Sequence, residues 1–81
     1  MNLYCFKPYN WLYCGGMVLI VARDWEECLE AWIEYQKGNR ENEEITRDSS
    51  YRYQGWMLCH TYSIQDTDVN KGVQFVEYNY A

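Results

Sequence analysis

Hydrophobic and polar positions along the chain follow a pattern that predicts four strands and one helix. Side-chain types alternate over 2–7, which predicts a first strand that ends at Lys7 and Pro8. The apolar run 17–22 has no polar position, which is typical of a strand buried on both faces, so we expect it to be the central strand. Two later stretches, 51–64 and 73–80, also have extended patterns.

The spacing of apolar residues after the second strand predicts a helix over 24–37. They recur at intervals of three and one and so share one face of a helix: Trp25, Cys28, Leu29, Trp32 and Ile33. Asp24 at the start and Glu27 three residues later fit a capping-box pattern. Lys37 suits the last turn, and Gly38 is the expected C-terminal cap.

The remaining segments predict connections and define the faces of the third long strand. Residues 38–50 are polar except for Ile45 and predict a loop, and 65–72 predict a turn. Strict alternation in 51–64 predicts that one face carries the following residues: Trp56, Leu58, His60, Tyr62 and Ile64.

The element order β-β-α-β-β predicts an α+β fold: a four-stranded, mainly antiparallel sheet with the helix packed on one face. The 81 residues are too few for two separate cores, so we expect 1–81 to form a single domain. One helix covers one sheet face, and the other face is therefore expected to meet solvent or a partner.

Charge changes this picture because it is concentrated in one segment. Eight of the 12 acids but only three of the seven bases lie between Arg23 and Glu44, so this segment accounts for the whole net charge of −5. The candidate partner-binding residues are Glu26, Glu27, Glu30, Glu34, Glu41, Glu43 and Glu44. Three of them (Glu26, Glu30 and Glu34) repeat every four residues and form a stripe without a compensating base.

Two hypotheses account for the acidic stripe. It is either a solvated face that keeps a small protein soluble, or a surface that mimics nucleic acid. In the second hypothesis, carboxylates stand in for phosphates and occupy a basic groove of a larger protein or ribonucleoprotein. The negative charge argues against direct binding of nucleic acid or an anionic membrane.

No residue pattern indicates catalysis, a cofactor or a resident metal. The four cysteines have no C-x-x-C spacing and are expected to be reduced thiols, while His60 lies within a strand. Cys59 is a poor catalytic partner for His60, because adjacent residues of a regular strand face opposite sides. The segment from Asp66 to Glu77 resembles a calcium loop in its acidic positions, but Lys71 stands where the turn needs glycine. We therefore expect a binding protein and not an enzyme.

Aromatic residues, which make up 19% of the chain, suggest an alternative function. Those that exceed the needs of one small core are Tyr9, Trp11, Tyr13, Tyr51, Tyr53, Tyr78 and Tyr80. Tyrosine and tryptophan are favoured in protein interfaces. An exposed aromatic sheet face would make the chain a self-associating structural or accessory protein, for example a homodimer.

In size, acidity, lack of catalytic signals and strand–helix–strand plan, the chain resembles small phage-encoded inhibitors of host defence, such as anti-CRISPR proteins. The resemblance is one of general character over the whole chain. It implies a stoichiometric protein inhibitor that needs no cofactor and binds a target such as a host-defence nuclease complex. The longest apolar run is too short to span a bilayer, and residues 1–7 lack a signal-peptide arrangement, so a cytoplasmic protein is expected.

Overall fold

The computed structural model describes residues 1–9, 14–39, 43–47, 55–65 and 70–80. In these ranges the chain forms one helix and five strands. In chain order they are β1 (Asn2–Pro8), β2 (Cys14–Ala22), α1 (Trp25–Asn39), β3 (Ile45–Thr46), β4 (Trp56–Ser63) and β5 (Gly72–Tyr80). The predicted α+β class with a single helix is confirmed for the described residues.

The strands form one mixed sheet in the order β3-β4-β1-β2-β5. Pairing is antiparallel throughout except between β3 and β4, which are parallel. The prediction of four strands is wrong because Ile45 and Thr46 add a fifth, short strand beside Trp56 and Met57. The prediction that 17–22 is the central strand is also wrong. That segment lies in β2, between β1 and β5, and β1 occupies the centre of the sheet.

The core lies between α1 and one face of the sheet. Its buried members are Tyr4, Phe6, Val18, Ile20, Ala22, Cys28, Trp32, Ile45 and Trp56. Trp32 from the helix meets Trp56 from β4 edge to face, with ring centroids 6.5 Å apart. Complete burial of a large apolar side chain stabilises the fold by roughly 1.5–3 kcal/mol, so these aromatic residues hold the helix on the sheet.

Two hydrogen bonds between backbone N–H groups and carboxylates fix the start of α1. The Glu27 backbone N–H donates to Asp24 Oδ1 at 2.9 Å, and the Arg23 backbone N–H donates to Glu27 Oε1 at 3.3 Å. Asp24 thus caps the helix as the sequence predicts, whereas the Glu27 carboxylate accepts the N–H of Arg23, the residue before the cap, and not that of Asp24 as in a standard capping box. The predicted end is wrong, because Gly38 has no positive φ and the helix continues to Asn39.

The buried face of α1 differs from the predicted stripe at one position. Ile33 is 52% exposed. It lies about 100° around the helix from Trp32, towards the flank away from the sheet. Tyr35 packs against the core instead, with its ring stacked on Trp32 at a centroid distance of 5.4 Å.

A β-bulge in β4 overturns the predicted single face of that strand. Cys5 pairs with His60 while the next residue, Phe6, pairs with Leu58, which leaves Cys59 as an extra residue. Paired residues share a sheet face, so Leu58 lies on the helix side with Phe6. His60 lies on the opposite side with Cys5, because the extra residue inverts the alternation.

Candidate functional site

The exposed face of α1 carries three of the predicted acidic residues. Glu26, Glu30 and Glu34 are all exposed, whereas Cys28 and Trp32 on the other side of the helix are buried in the core. Positions i, i+4 and i+8 advance about 6 Å per step along the helix axis. The three carboxylates therefore form a regular acidic row that points away from the sheet. We call Glu26, Glu30 and Glu34 the acidic row.

One lysine lies close to the acidic row. Lys37 Nζ is 3.8 Å from Glu34 Oε2, and both side chains are well exposed. An exposed pair of this kind is screened by water and holds its partner weakly. In the described part of the chain, no cation lies within 4 Å of Glu26 or Glu30.

Glu27 has a structural role that sets it apart from the acidic row. Its carboxylate accepts the Arg23 backbone N–H, and the same Oε1 lies 3.8 Å from Nζ of Lys71, the residue before β5. Glu27 is only partly exposed. The side chain thus holds the backbone just before the helix and links the helix to the sheet edge, so it is less available to a partner than the acidic row.

The loop acids lie on the other flank of the helix. The Glu43 carbonyl oxygen accepts hydrogen bonds from Trp32 Nε1, at 2.7 Å, and from Gln36 Nε2. The Glu44 carbonyl oxygen accepts the Trp56 backbone N–H at 2.7 Å. The backbone of these two residues therefore anchors the segment before β3, while the Glu44 side chain is exposed. Glu41 lies outside the described residues.

A groove of about 350 Å³ runs beside the acidic row, between α1 and the edge formed by β2 and β5. Glu27, Glu30 and Glu34 line its helix side. Lys71 and Gly72 line the opposite side. The groove gives the acidic row a neighbouring concave surface, which separates it from the sheet edge.

The sheet face away from α1, called here the outer face, is largely apolar. Strand register assigns it Leu3, Cys5, Lys7, Met17, Leu19, Val21, Met57, His60, Tyr62, Phe75 and Glu77. Met17 is 38% exposed, Phe75 43% and Tyr62 50%.

Among the aromatics predicted for an interface, Tyr78 and Tyr80 lie in β5. Tyr9 is described and partly buried, and the remaining four lie outside the described residues.

The three cysteines whose side chains the structure describes are distributed over both sheet faces. Cys28 is buried in the core, and burial raises the pKa of its thiol to about 12 despite the nearby Arg47 guanidinium. Cys5 is buried on the outer face, and Cys59 at the bulge is partly exposed. The argument from strand alternation against a Cys59–His60 pair does not hold at a bulge. However, the described residues show no hydrogen bond between the two side chains.

No metal-binding arrangement is present among the described residues. No group of three or more His, Cys, Asp or Glu side chains in these ranges lies close enough to hold a metal ion. Asp66 and Asp68 of the calcium-loop resemblance lie outside them. Within the described part of the chain, no helix is both long and apolar enough to cross a membrane.

Comparisons with protein-family models, curated proteins and solved structures found no match to this chain.

Three features of the described surface were not predicted from the sequence: the contact of Lys71 with Glu27, the contact of Cys59 with Cys5, and the exposure of Met17 and Phe75 on the outer face. Period-two alternation in 73–80 would place Phe75 on the same face as Val73, but an extra residue in β5, Gln74, separates them: Val73 packs against the core and Phe75 lies on the outer face. None of these features therefore leaves a local signal in the sequence.

Proposed function

We propose that this protein is a stoichiometric inhibitor that places its acidic row in a basic, nucleic-acid-binding groove of a larger protein or ribonucleoprotein. The observation that carries the proposal is the row itself: three exposed carboxylates at helical spacing, of which Glu26 and Glu30 have no cation within 4 Å among the described residues. A host-defence nuclease complex is a target of the expected kind.

The geometry of the row supports mimicry of a phosphate backbone. Its carboxylates are spaced by about 6 Å along the helix axis, and every second phosphate of one DNA strand advances about 7 Å. The row stands on a helix that is capped at its start and packed through Trp32 and Cys28. A rigid helix holds the charges in place before binding, which lowers the entropy cost of association.

The accessory acids contribute unequally to this proposal. Glu44 is exposed and adds to the negative field beyond the row, whereas Glu27 and the backbone of Glu43 serve the fold. We therefore expect charge reversal in the acidic row to affect binding most. Charge reversal at Glu27 is expected to affect stability first.

The test compares the wild type with the triple variant Glu26→Lys, Glu30→Lys and Glu34→Lys in capture from nuclease-treated bacterial lysate. The proposal predicts a captured nucleic-acid-binding protein that a DNA or RNA oligonucleotide displaces, that high salt weakens, and that the triple variant does not retain. Glu77→Lys, which changes an exposed acid on the outer face, is the control and should retain the partner. Equal capture by the wild type and a folded triple variant would refute the proposal.

A second candidate function is self-association through the outer face. It is favoured by the position of Met17, Tyr62 and Phe75, because three exposed large apolar side chains on one sheet face are typical of an interface. Sedimentation velocity over a range of protein concentrations tests it. A dimer should survive high salt and dissociate in Phe75→Lys, whereas Ile33→Lys, an equally exposed apolar site on the helix, should leave it intact. A monomer at every concentration would exclude this candidate.

A further inference from the structure

Two cysteines that are distant in sequence meet across the centre of the sheet. Cys5 lies in β1 and Cys59 in β4, where Cys59 is the extra residue of the bulge. The Cys59 Sγ donates a hydrogen bond to the Cys5 carbonyl oxygen at 3.1 Å. The Cys59 thiol is therefore directed at the backbone of the other cysteine.

The strand geometry at this point suits a disulfide. Residues opposite each other in antiparallel strands have Cα atoms about 4.5–5.5 Å apart, and disulfides span Cα separations of about 4.4–6.8 Å. At a bulge two residues face a single partner, so both Cys59 and His60 stand opposite the region of Cys5. Cys59 has no register partner of its own, and its thiol contacts the backbone of Cys5.

The electrostatics of the Cys5 thiol agree with this proximity. The pKa of Cys5 is raised, first by burial and second by the nearby Cys59 thiol, so Cys59 lies close enough to affect the Cys5 thiol. Cys5 is therefore protonated at neutral pH. Cys59 is partly exposed and within reach of a small reagent in solution.

We propose that Cys5 and Cys59 form an oxidisable pair that closes to a disulfide when the protein meets a small-molecule disulfide such as oxidised glutathione. The Cys59 thiolate attacks one sulfur of the oxidant, forming a mixed disulfide and releasing one glutathione thiol. The Cys5 sulfur then loses its proton and attacks Cys59 Sγ, which releases the second glutathione. The two cysteines lose two electrons and two protons, and the oxidant is reduced to two thiols.

Cys28 provides the contrast within the same molecule. It is fully buried between helix and sheet, and burial raises its pKa to about 12, so it offers almost no thiolate to a reagent. Among the three cysteines whose side chains the structure describes, oxidation is expected to be selective for the pair at the bulge. The new bond would close a loop from Cys5 to Cys59, and cross-links that close long loops restrict the unfolded chain strongly. We therefore expect the oxidised protein to have a higher Tm than the reduced protein.

The experiment treats the reduced wild-type chain with oxidised glutathione, quenches with acid, alkylates remaining thiols and maps the cysteine peptides by mass spectrometry. The proposal predicts a linked peptide pair containing Cys5 and Cys59 and an intact mass lower by two hydrogens. It also predicts that a reducing agent reverses the change. In Cys5→Ser the reaction should stop at the glutathione adduct on Cys59. Cys28→Ser, the matched control, should form the same Cys5–Cys59 link.

Two results would overturn the proposal. One is full alkylation of Cys5 and Cys59 after prolonged oxidation of the wild type. The other is a linked peptide that joins either of them to a different cysteine. The wild-type map decides between these outcomes without any variant, so poor folding of a substituted protein does not affect the conclusion.

Discussion

Gly55 shows how a single residue sets the approach of two strands. Its φ of +124° lies in a region that residues with a side chain rarely adopt, and a Cβ at this position would overlap the Glu44 carbonyl oxygen. That same carbonyl accepts the Trp56 backbone N–H, which joins the segment before β3 to β4. The absence of a side chain at Gly55 is therefore needed for β3 to lie beside β4.

We predict that Gly55→Ala lowers the free energy of unfolding by roughly 2–4 kcal/mol, because backbone strain and a steric clash add together. Urea unfolding followed by tryptophan fluorescence measures the loss. Gly38→Ala is the matched control. Gly38 lies in the helix, and an alanine Cβ there would meet no atom within 4 Å, so alanine should stabilise the protein by about 0.5–1 kcal/mol. Equal effects of the two substitutions would contradict this account of Gly55.

At the scale of the element, α1 combines a good cap with an unfavourable row of like charges. Glu30 has Glu26 four residues before it and Glu34 four residues after it, and each such pair costs about 0.2–0.5 kcal/mol. Of the three members of the acidic row, only Glu34 has a cation from the described part of the chain within 4 Å, and that cation is Lys37. A helix that keeps this repulsion has a sequence that is not optimised for its own stability, which is common where a surface serves binding.

We predict that Glu30→Gln raises the free energy of unfolding by roughly 0.4–1 kcal/mol at low salt, because it removes two repulsive pairs. The gain should shrink at high salt, where exposed charges are screened. Glu27→Gln, one turn earlier on the same helix, should instead lower stability by about 0.5–1 kcal/mol, since it removes a charge from the helix N-terminus and from Lys71. Parallel urea titrations measure both; a loss for Glu30→Gln would show that its charge has a stabilising partner.

How far sequence predicts each element depends on the range of the interactions that form it. The start of α1 follows from Asp24 and Glu27, because capping acts within one turn. Its end does not: Gly38 signals a cap, yet the helix continues to Asn39. β3 escapes prediction because its two residues are held by Ile45 burial and by contacts with β4. The extra residue Cys59 likewise has no local signature, and it alone moves His60 and Tyr62 to the outer face.

The candidate site likewise combines features that local sequence predicts with features that depend on tertiary contacts. Exposure of Glu26, Glu30 and Glu34 follows from helical periodicity once the apolar stripe is known. The different role of Glu27 depends on Lys71, which is 44 positions later in the chain and reaches it only through the fold. Tertiary contacts therefore decide which acids remain available, whereas composition and spacing decide where the acids are.

At the scale of the whole molecule, the sheet has one face covered by α1 and one outer face without a covering element among the described residues. The chain has two phenylalanines, and one lies on each face. Phe6 on the helix side is completely buried, and Phe75 on the outer face is 43% exposed. Burial on the outer face is uneven: Val21 and Cys5 are buried in the single chain, whereas Met17, Tyr62 and Phe75 are exposed. The exposed part of this face therefore adds to stability chiefly when something lies on it.

We predict that Phe6→Ala lowers the free energy of unfolding by about 3–5 kcal/mol, whereas Phe75→Ala costs less than about 1.5 kcal/mol in a monomer. Urea unfolding of both variants at a low protein concentration measures the difference. Repeating the measurement at a high protein concentration tests for self-association, because association stabilises the folded state by mass action. If the cost of Phe75→Ala grows with concentration while that of Phe6→Ala stays constant, a second copy covers the outer face. Constant values for both would leave that face open to solvent and would count against self-association, while the acidic row remains exposed in either case.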